Sequence, residues 1–136
     1  MIAQVHREYF VQNSEPYSSN TKPYVGGWDT FDIEYIALLL SQIQNCEKKS
    51  ALVLGSGNGY FLSILAKQYN EVIGYESNKY LVEYCMERLE ELDIDNAIAQ
   101  HQDYYEADEF TKKYDLVVVN FALMEKPEQY IELLNN

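Results

Sequence analysis

The sequence predicts an α/β fold, a parallel sheet with helices on both faces. Short apolar runs, "ALVL" (51–54), "EVIGYE" (71–76) and "YDLVVVNF" (114–121), alternate with stretches whose apolar residues recur at helical spacing. Between the first run and the helix after it stands "GSGNGY" (55–60), a glycine loop of the kind that joins a buried strand to a helix at a ligand site. At 136 residues the chain is long enough for one core and too short for two.

Taken in order, residues 1–30 carry Ser, Asn, Pro and Gly clusters among aromatics and read as an irregular arm held down by its tyrosines and Trp28. Residues 31–136 form the folded domain. From Phe31 the apolar positions 33, 36, 39, 40 and 43 share one helix face, and the pattern ends at "NCEKKS". After the "ALVL" strand and the glycines, Phe61, Leu62, Leu65 and Tyr69 make a second helical face. "EVIGYE" is the next strand, and Ser77 or Asn78 can cap a third helix that turns Leu81, Val82, Cys85, Leu89 and Leu92 inward. "DIDN" turns the chain into a short strand, "AIAQ" (97–100). "YDLVVVNF" does not alternate, so both of its faces are expected to be buried. Pro127 suits the first position of a last short helix ending near Leu134.

Composition narrows the function. With 47% apolar residues and 13 tyrosines the chain is expected to pack as a globule, and no apolar run reaches the length of a membrane span, so a soluble protein with no membrane partner is expected. The N-terminus has no basic flank followed by an apolar core, and Cys46 and Cys85 form no motif, which fits a cytoplasmic location with reduced thiols. Ten basic against 22 acidic residues give a net charge of −12, which repels phosphate backbones and speaks against a nucleic-acid partner. The local basic pairs, Lys48-Lys49 and Lys112-Lys113, read as solvated ends of loops or helices.

The glycine loop carries the chemistry. In the dinucleotide fingerprint G-x-G-x-x-G the last glycine seats helix on strand and the helix start faces a pyrophosphate. Here the glycines are Gly55, Gly57 and Gly59, one residue tighter. That spacing brings bare backbone to a ligand at alternate positions and suits a cofactor without a pyrophosphate, such as S-adenosylmethionine. Glu76, at the end of the next strand, can accept from both hydroxyls of a ribose, and Asp103, just past "AIAQHQ", from an adenine amino group. All lie at carboxyl ends of strands, where open α/β sheets bind ligands. Singly, each has a plainer explanation as a tight turn, a solvated acid or a helix start; together, at these spacings, they point to a nucleoside.

Over nearly its whole length the chain resembles the protein-L-isoaspartate O-methyltransferases, a branch of the class I S-adenosylmethionine-dependent methyltransferases. "HREYFV" (6–11) is similar to the family's P-R-E-x-F-V, and "LVLGSGNGY" (52–60) to V-L-E-I-G-x-G-x-G-Y. "YLVEYCMERLEELDIDN" (80–96) resembles L-V-E-x-A-x-x-x-L-x-x-L-G-I-x-N. "QDYYEADEFTKKYDLVVVNFALMEKPEQYIELL" (102–134) resembles G-D-G-x-x-G followed by Y-D-x-I-x-V and a proline-led helix. The resemblance implies a Rossmann-like fold and transfer of a methyl group from S-adenosylmethionine to a protein or peptide carboxylate, leaving S-adenosylhomocysteine. It places Gly55, Gly57 and Gly59 along the cofactor, Glu76 at the ribose and Asp103 at the adenine. Ser56, Tyr60, Ser77, Tyr104 and Asn120 complete the cofactor-binding set it implies. Thr30 matches the threonine of the family's Q-T-I-S segment near the reacting groups, with Asp32 as its companion.

Four departures qualify it. Asp32 stands at the family's serine and Glu34 at the proline that follows, adding negative charge where an anionic substrate is expected. Val53 takes the place of an acid that orients the methionine end of the cofactor. Gln102 replaces a glycine before Asp103. The sequence also ends at "ELLNN", where the family continues into further strands; this implies a C-terminally shortened fold with "LVVV" at an edge, covered by a second copy, the N-terminal arm or a separate partner. These departures keep a second expectation open: a weak or inactive relative that acts as a nucleoside-binding or interaction module.

Overall fold

The structure is a computed structural model, which describes residues 33–43, 47–103, 112–120 and 128–135. The N-terminal arm, Thr30, Asp32, Cys46, Tyr104 and Pro127, all invoked from sequence, lie outside these residues. Helix α1 spans Ile33–Gln42, with Ile36 buried and Leu39, Leu40 and Ile43 packed partly against the core, the face that the spacing predicts.

Strand β1, Ser50–Leu54, is buried along its whole length. Such a strand must be covered on both faces, and alternate side chains enter two separate cores. Ala51 and Val53 join the larger one with Ile36 of α1 and residues of two further helices, α2 (Tyr60–Leu65) and α3 (Lys79–Glu91). Leu52 and Leu54 join the smaller one with Tyr114, Tyr130 and Leu133, next to the short helix α4 (Glu128–Ile131).

Strands β2 (Glu71–Glu76), β3 (Ala97–His101) and β4 (Leu116–Val119) complete a four-stranded sheet in the order β3-β2-β1-β4. Every pairing in it is parallel; Val53 stands beside Gly74 on one side and Val118 on the other. The expected parallel sheet with helices on both faces is the one observed.

Local chemistry explains the boundaries. Asn78 caps α3, its Oδ1 accepting from the amides of Tyr80 at 3.0 Å and Leu81 at 3.3 Å. Asn96, in the turn before β3, donates from Nδ2 to the carbonyls of Ala66 at 2.8 Å and Tyr69 at 2.9 Å, which ties the end of α2 to β3.

Three expectations need adjustment. Helix α2 is short and buried on every side, Ser63 included, so Tyr69 reaches the core from the turn beyond it rather than from a helix face. Strand β4 is only half-buried, because among the described residues it pairs on one side, with β1 alone. Helix α4 stops at Ile131, and the residues after it pair with the chain instead: Tyr114 donates to the Leu133 carbonyl at 2.7 Å, and Asn135 to the Tyr114 carbonyl at 2.8 Å. Among the described residues no helix is long and apolar enough to cross a membrane.

Candidate functional site

The carboxyl ends of β1 and β2 lie side by side, and the loop after each starts there. Gly55, Gly57 and Gly59 have φ of 80°, 58° and 92°, left-handed values that glycine adopts without a Cβ clash. The first turn of the loop extends the β1–β2 pairing, since the amides of Gly55 and Ser56 both donate to the Tyr75 carbonyl, at 2.8 and 3.1 Å. Gly57 then directs its N–H across to Glu76 Oε2 at 2.9 Å.

Glu76 is the hub. Its residue is 8% exposed, a value at which an acid needs partners for its oxygens. Oε2 accepts from Gly57, Oε1 accepts from the Asn78 amide at 3.0 Å, and the Ser77 hydroxyl lies 3.5 Å from Oε1. The carboxylate is thereby fixed at the start of α3, where the helix dipole favours a negative charge. Two oxygens offer about four acceptor directions; the two backbone bonds and the long Ser77 contact leave one open on Oε2, and a second opens on Oε1 when a ligand hydroxyl displaces the Ser77 hydroxyl.

Gly59 serves packing. A Cβ there would meet Cys85 Sγ at 2.3 Å, so the missing side chain is what lets α3 lie against the start of α2. Gly74, inside β2, does the same for the loop: a Cβ on it would stand 2.6 Å from Ser56 Cβ and 2.8 Å from Leu62 Cδ1. The Cys85 thiol is sealed beneath this layer. Burial, and next the neighbouring Glu76 carboxylate, push it up to about 12, so it stays protonated and unreactive.

The residues singled out from sequence separate into groups. Gly55, Gly57, Glu76 and Ser77 come together at the β1 and β2 ends. Asp103 follows β3 as an exposed residue at the same end of the sheet, and Asn120 follows β4, its amide donating to the Leu54 carbonyl at 2.8 Å. Ser56 and Tyr60 face inward, Ser56 against Gly74 and Tyr60 within the larger core at 1% exposure. Val53 is fully buried in that core, packed rather than presented to a ligand. Asn58, Asn78 and His101 escaped the sequence reading as site residues. Asn58 is buried and its Oδ1 accepts from the Tyr60 amide at 3.1 Å, which fixes the loop's exit into α2. Its signal, an Asn just before the glycine that opens a helix, was available. Asn78 was legible only as a cap, and His101 carries no motif.

One lysine of each basic pair makes contacts within the fold, while Lys49, Lys112 and Lys113 are exposed, as expected of solvated ends. Lys48 donates to the Ile43 carbonyl at 2.6 Å and lies over the Tyr69 ring; Lys112 pairs with Glu71 and lies over the Tyr114 ring.

Comparison with known proteins agrees with this geometry. The chain is 26% identical over 140 residues to the protein-L-isoaspartate O-methyltransferase of Pseudoalteromonas atlantica, covering 99% of itself and 66% of that protein. It is 28% identical over 141 residues to the enzyme of the same name from Vibrio cholerae, covering 98% of itself and 67% of the relative. The chain thus spans about two thirds of the length of these curated relatives. Among solved structures, a protein-L-isoaspartate O-methyltransferase superposes with a TM-score of 0.83 at 21% identity over 98% of this chain and 47% of that one. A Haemonchus contortus phosphoethanolamine N-methyltransferase, solved with phosphoethanolamine and S-adenosylhomocysteine, superposes with a TM-score of 0.60 at 24% identity over 74% of this chain and 22% of the other. These two likenesses establish the Rossmann-like methyltransferase fold. A sequence model of the family matches residues 1–136, from the first residue to the last, and the chain belongs to the protein-L-isoaspartate(D-aspartate) O-methyltransferase family.

Proposed function

We propose that this protein is an S-adenosylmethionine-dependent methyltransferase that esterifies the side-chain carboxylate of a damaged aspartyl residue in a protein or peptide. The observation that carries this reading is Glu76, a nearly buried carboxylate fixed by the Gly57 and Asn78 amides with acceptor capacity to spare. Those acceptor oxygens suit the two hydroxyls of a ribose, which donate to them. Gly55 and Gly57 supply bare backbone at the β1 end, and Asp103, an exposed residue just past β3 at the same end of the sheet, is assigned to the adenine amino group. The cofactor, when bound, supplies an electrophilic sulfonium methyl group.

What remains for the protein is orientation and the exclusion of water. An acceptor carboxylate is already ionised near neutral pH, so no general base is needed to activate it. Thr30 and Asp32 are the residues this reading assigns to the reacting groups, on the resemblance of their segment to Q-T-I-S. Tyr104 is assigned to the adenine side on the same ground. The protein works in the cytoplasm on protein or peptide substrates, and the β4 edge is covered by a second copy of the chain, by the N-terminal arm or by a separate partner.

One observation favours the weaker alternative, a relative that binds the nucleoside without efficient turnover: Val53 is sealed in the core where the family's pattern has an acid. The two readings part in an assay with methyl-labelled S-adenosylmethionine and a synthetic isoaspartyl peptide, with the matching aspartyl peptide as control. Label on the isoaspartyl peptide alone, released by mild base as expected of a methyl ester and abolished by Glu76→Ala, is the expected result. Cofactor binding without label on the peptide would leave the binding module.

A further inference from the structure

His101 ends β3 as an exposed residue, and its Nε2 lies 2.9 Å from the carbonyl oxygen of Ser77. A carbonyl oxygen only accepts, so Nε2 carries the proton and donates, in the neutral ring as in the charged one. One residue further on, the Gln102 amide donates to the Glu76 carbonyl at 3.1 Å. The end of β3 thus holds two successive carbonyls of the turn that follows β2. The Gln102 contact is made by backbone and asks nothing of the side chain. The His101 contact exists only because a side-chain donor of the right length stands at this position.

The Ser77 carbonyl and the Asn78 N–H belong to one planar peptide unit, and in a trans peptide they point in opposite directions. His101 holds the oxygen end of that unit, while the nitrogen end donates to Glu76 Oε1 at 3.0 Å. Turning the unit away from Glu76 therefore means breaking the His101 bond as well. A donor on the carbonyl also polarises the peptide, which strengthens its N–H toward the carboxylate.

We propose that His101 is a positioning residue for nucleoside binding: through the Ser77–Asn78 peptide unit it presets the Glu76 carboxylate before the ligand arrives. This rests on the reading of Glu76 as the ribose-binding acid. It adds a residue outside the glycine loop, the strand-end acids and the motifs of the family resemblance. Presetting saves the ligand the cost of ordering the carboxylate and appears as tighter binding.

The test uses the full chain as wild type, His101→Ala and His101→Gln, the last because a Gln side-chain amide can donate where Nε2 does. Titration with S-adenosylhomocysteine reads affinity, and amide exchange at Asn78 in the free protein reads the peptide unit without any ligand. His101→Ala is expected to weaken binding by about five- to tenfold, the worth of one hydrogen bond, and to speed Asn78 exchange by a similar factor. His101→Gln is expected to restore both, with the thermal midpoint of the free protein nearly constant across the three. Unchanged affinity and unchanged Asn78 exchange in His101→Ala would reduce the bond to a surface tether and overturn the proposal. Weakened binding that Gln fails to restore would also overturn it, by making the ring itself the contact. A wild-type chain that binds no S-adenosylhomocysteine would overturn the nucleoside reading instead, while Asn78 exchange still decides whether His101 holds the peptide unit.

Discussion

A methyl group added at Gly59 would collide with Cys85 Sγ, in a backbone conformation that side chains rarely adopt. Gly59→Ala is expected to cost about 2–5 kcal/mol, the sum of overpacking and left-handed strain, read as a lower denaturant midpoint at unchanged slope. A shift of less than about 0.5 kcal/mol, typical of an uninvolved surface site, would contradict the packing of α3 on this glycine. Glycine spacing in the sequence announced a loop but not which glycine faces a ligand and which faces a helix. Cys85, seen in the sequence as one more apolar position on α3, is what decides it for Gly59. Glu76 was legible because an acid ending a buried strand after such a loop is a side-chain signal. The contributions of Asn78 and His101 were not, since Asn78 reaches Glu76 with its backbone amide, which leaves no mark in residue type, and His101 meets a carbonyl brought to it only by the β2–β3 pairing.

At the scale of elements, β1 and β2 matched their apolar runs almost residue for residue: β1 is buried on both faces and reads as a continuous apolar run, and β2 buries alternate residues while Ile73 and Tyr75 are half-buried on the other face. The misjudged ends are those where long-range pairing overrides local pattern. Leu133 and Leu134 carry helical spacing but join a parallel bridge to Tyr114, and a carboxylate pins that corner. Asp115 accepts from the amides of Lys49 at 3.0 Å and Ser50 at 3.1 Å, and from Asn135 Nδ2 at 2.9 Å. These bonds, Asn135's first and Ser50's next, hold its carboxyl below the ordinary aspartate range. The folded state therefore binds this proton less tightly than the unfolded chain. Its stabilisation is complete above the ordinary carboxyl value of about 4 and is lost as pH falls through the lower folded value. In chemical unfolding, Asp115→Asn is expected to be less stable than wild type at neutral pH, with the gap narrowing in acid. An equal gap at both would show that the carboxylate does not hold the corner.

At the scale of the molecule, the order β3-β2-β1-β4 brings the glycine loop, Glu76, Asp103 and Asn120 to one end of the sheet, the end where the alternation of strands and helices already placed them. The same order leaves β4 as the outer strand among the described residues, along a cavity of about 270 Å³ that Leu39 and Ile43 of α1 and Phe61 help to line. An apolar parallel edge of this kind favours association. Slow exchange of the β4 amides is expected, together with a species larger than the monomer in light scattering where a second copy is the cover; a monomer whose amides 116–119 exchange freely would remove the proposed cover. The sequence could supply the run "LVVV" but not what lies against its outer side, because an edge is a property of the assembled sheet. The fold, the glycine loop and Glu76 converge on a single claim, that the carboxyl ends of β1 and β2 hold the nucleoside of S-adenosylmethionine. It is tested most directly by calorimetric titration of the purified chain with S-adenosylhomocysteine, wild type beside Glu76→Ala and Asp103→Ala. Saturable one-to-one binding weakened by both substitutions is the predicted result. Absence of binding at millimolar ligand, or binding that Glu76→Ala leaves untouched, would contradict it.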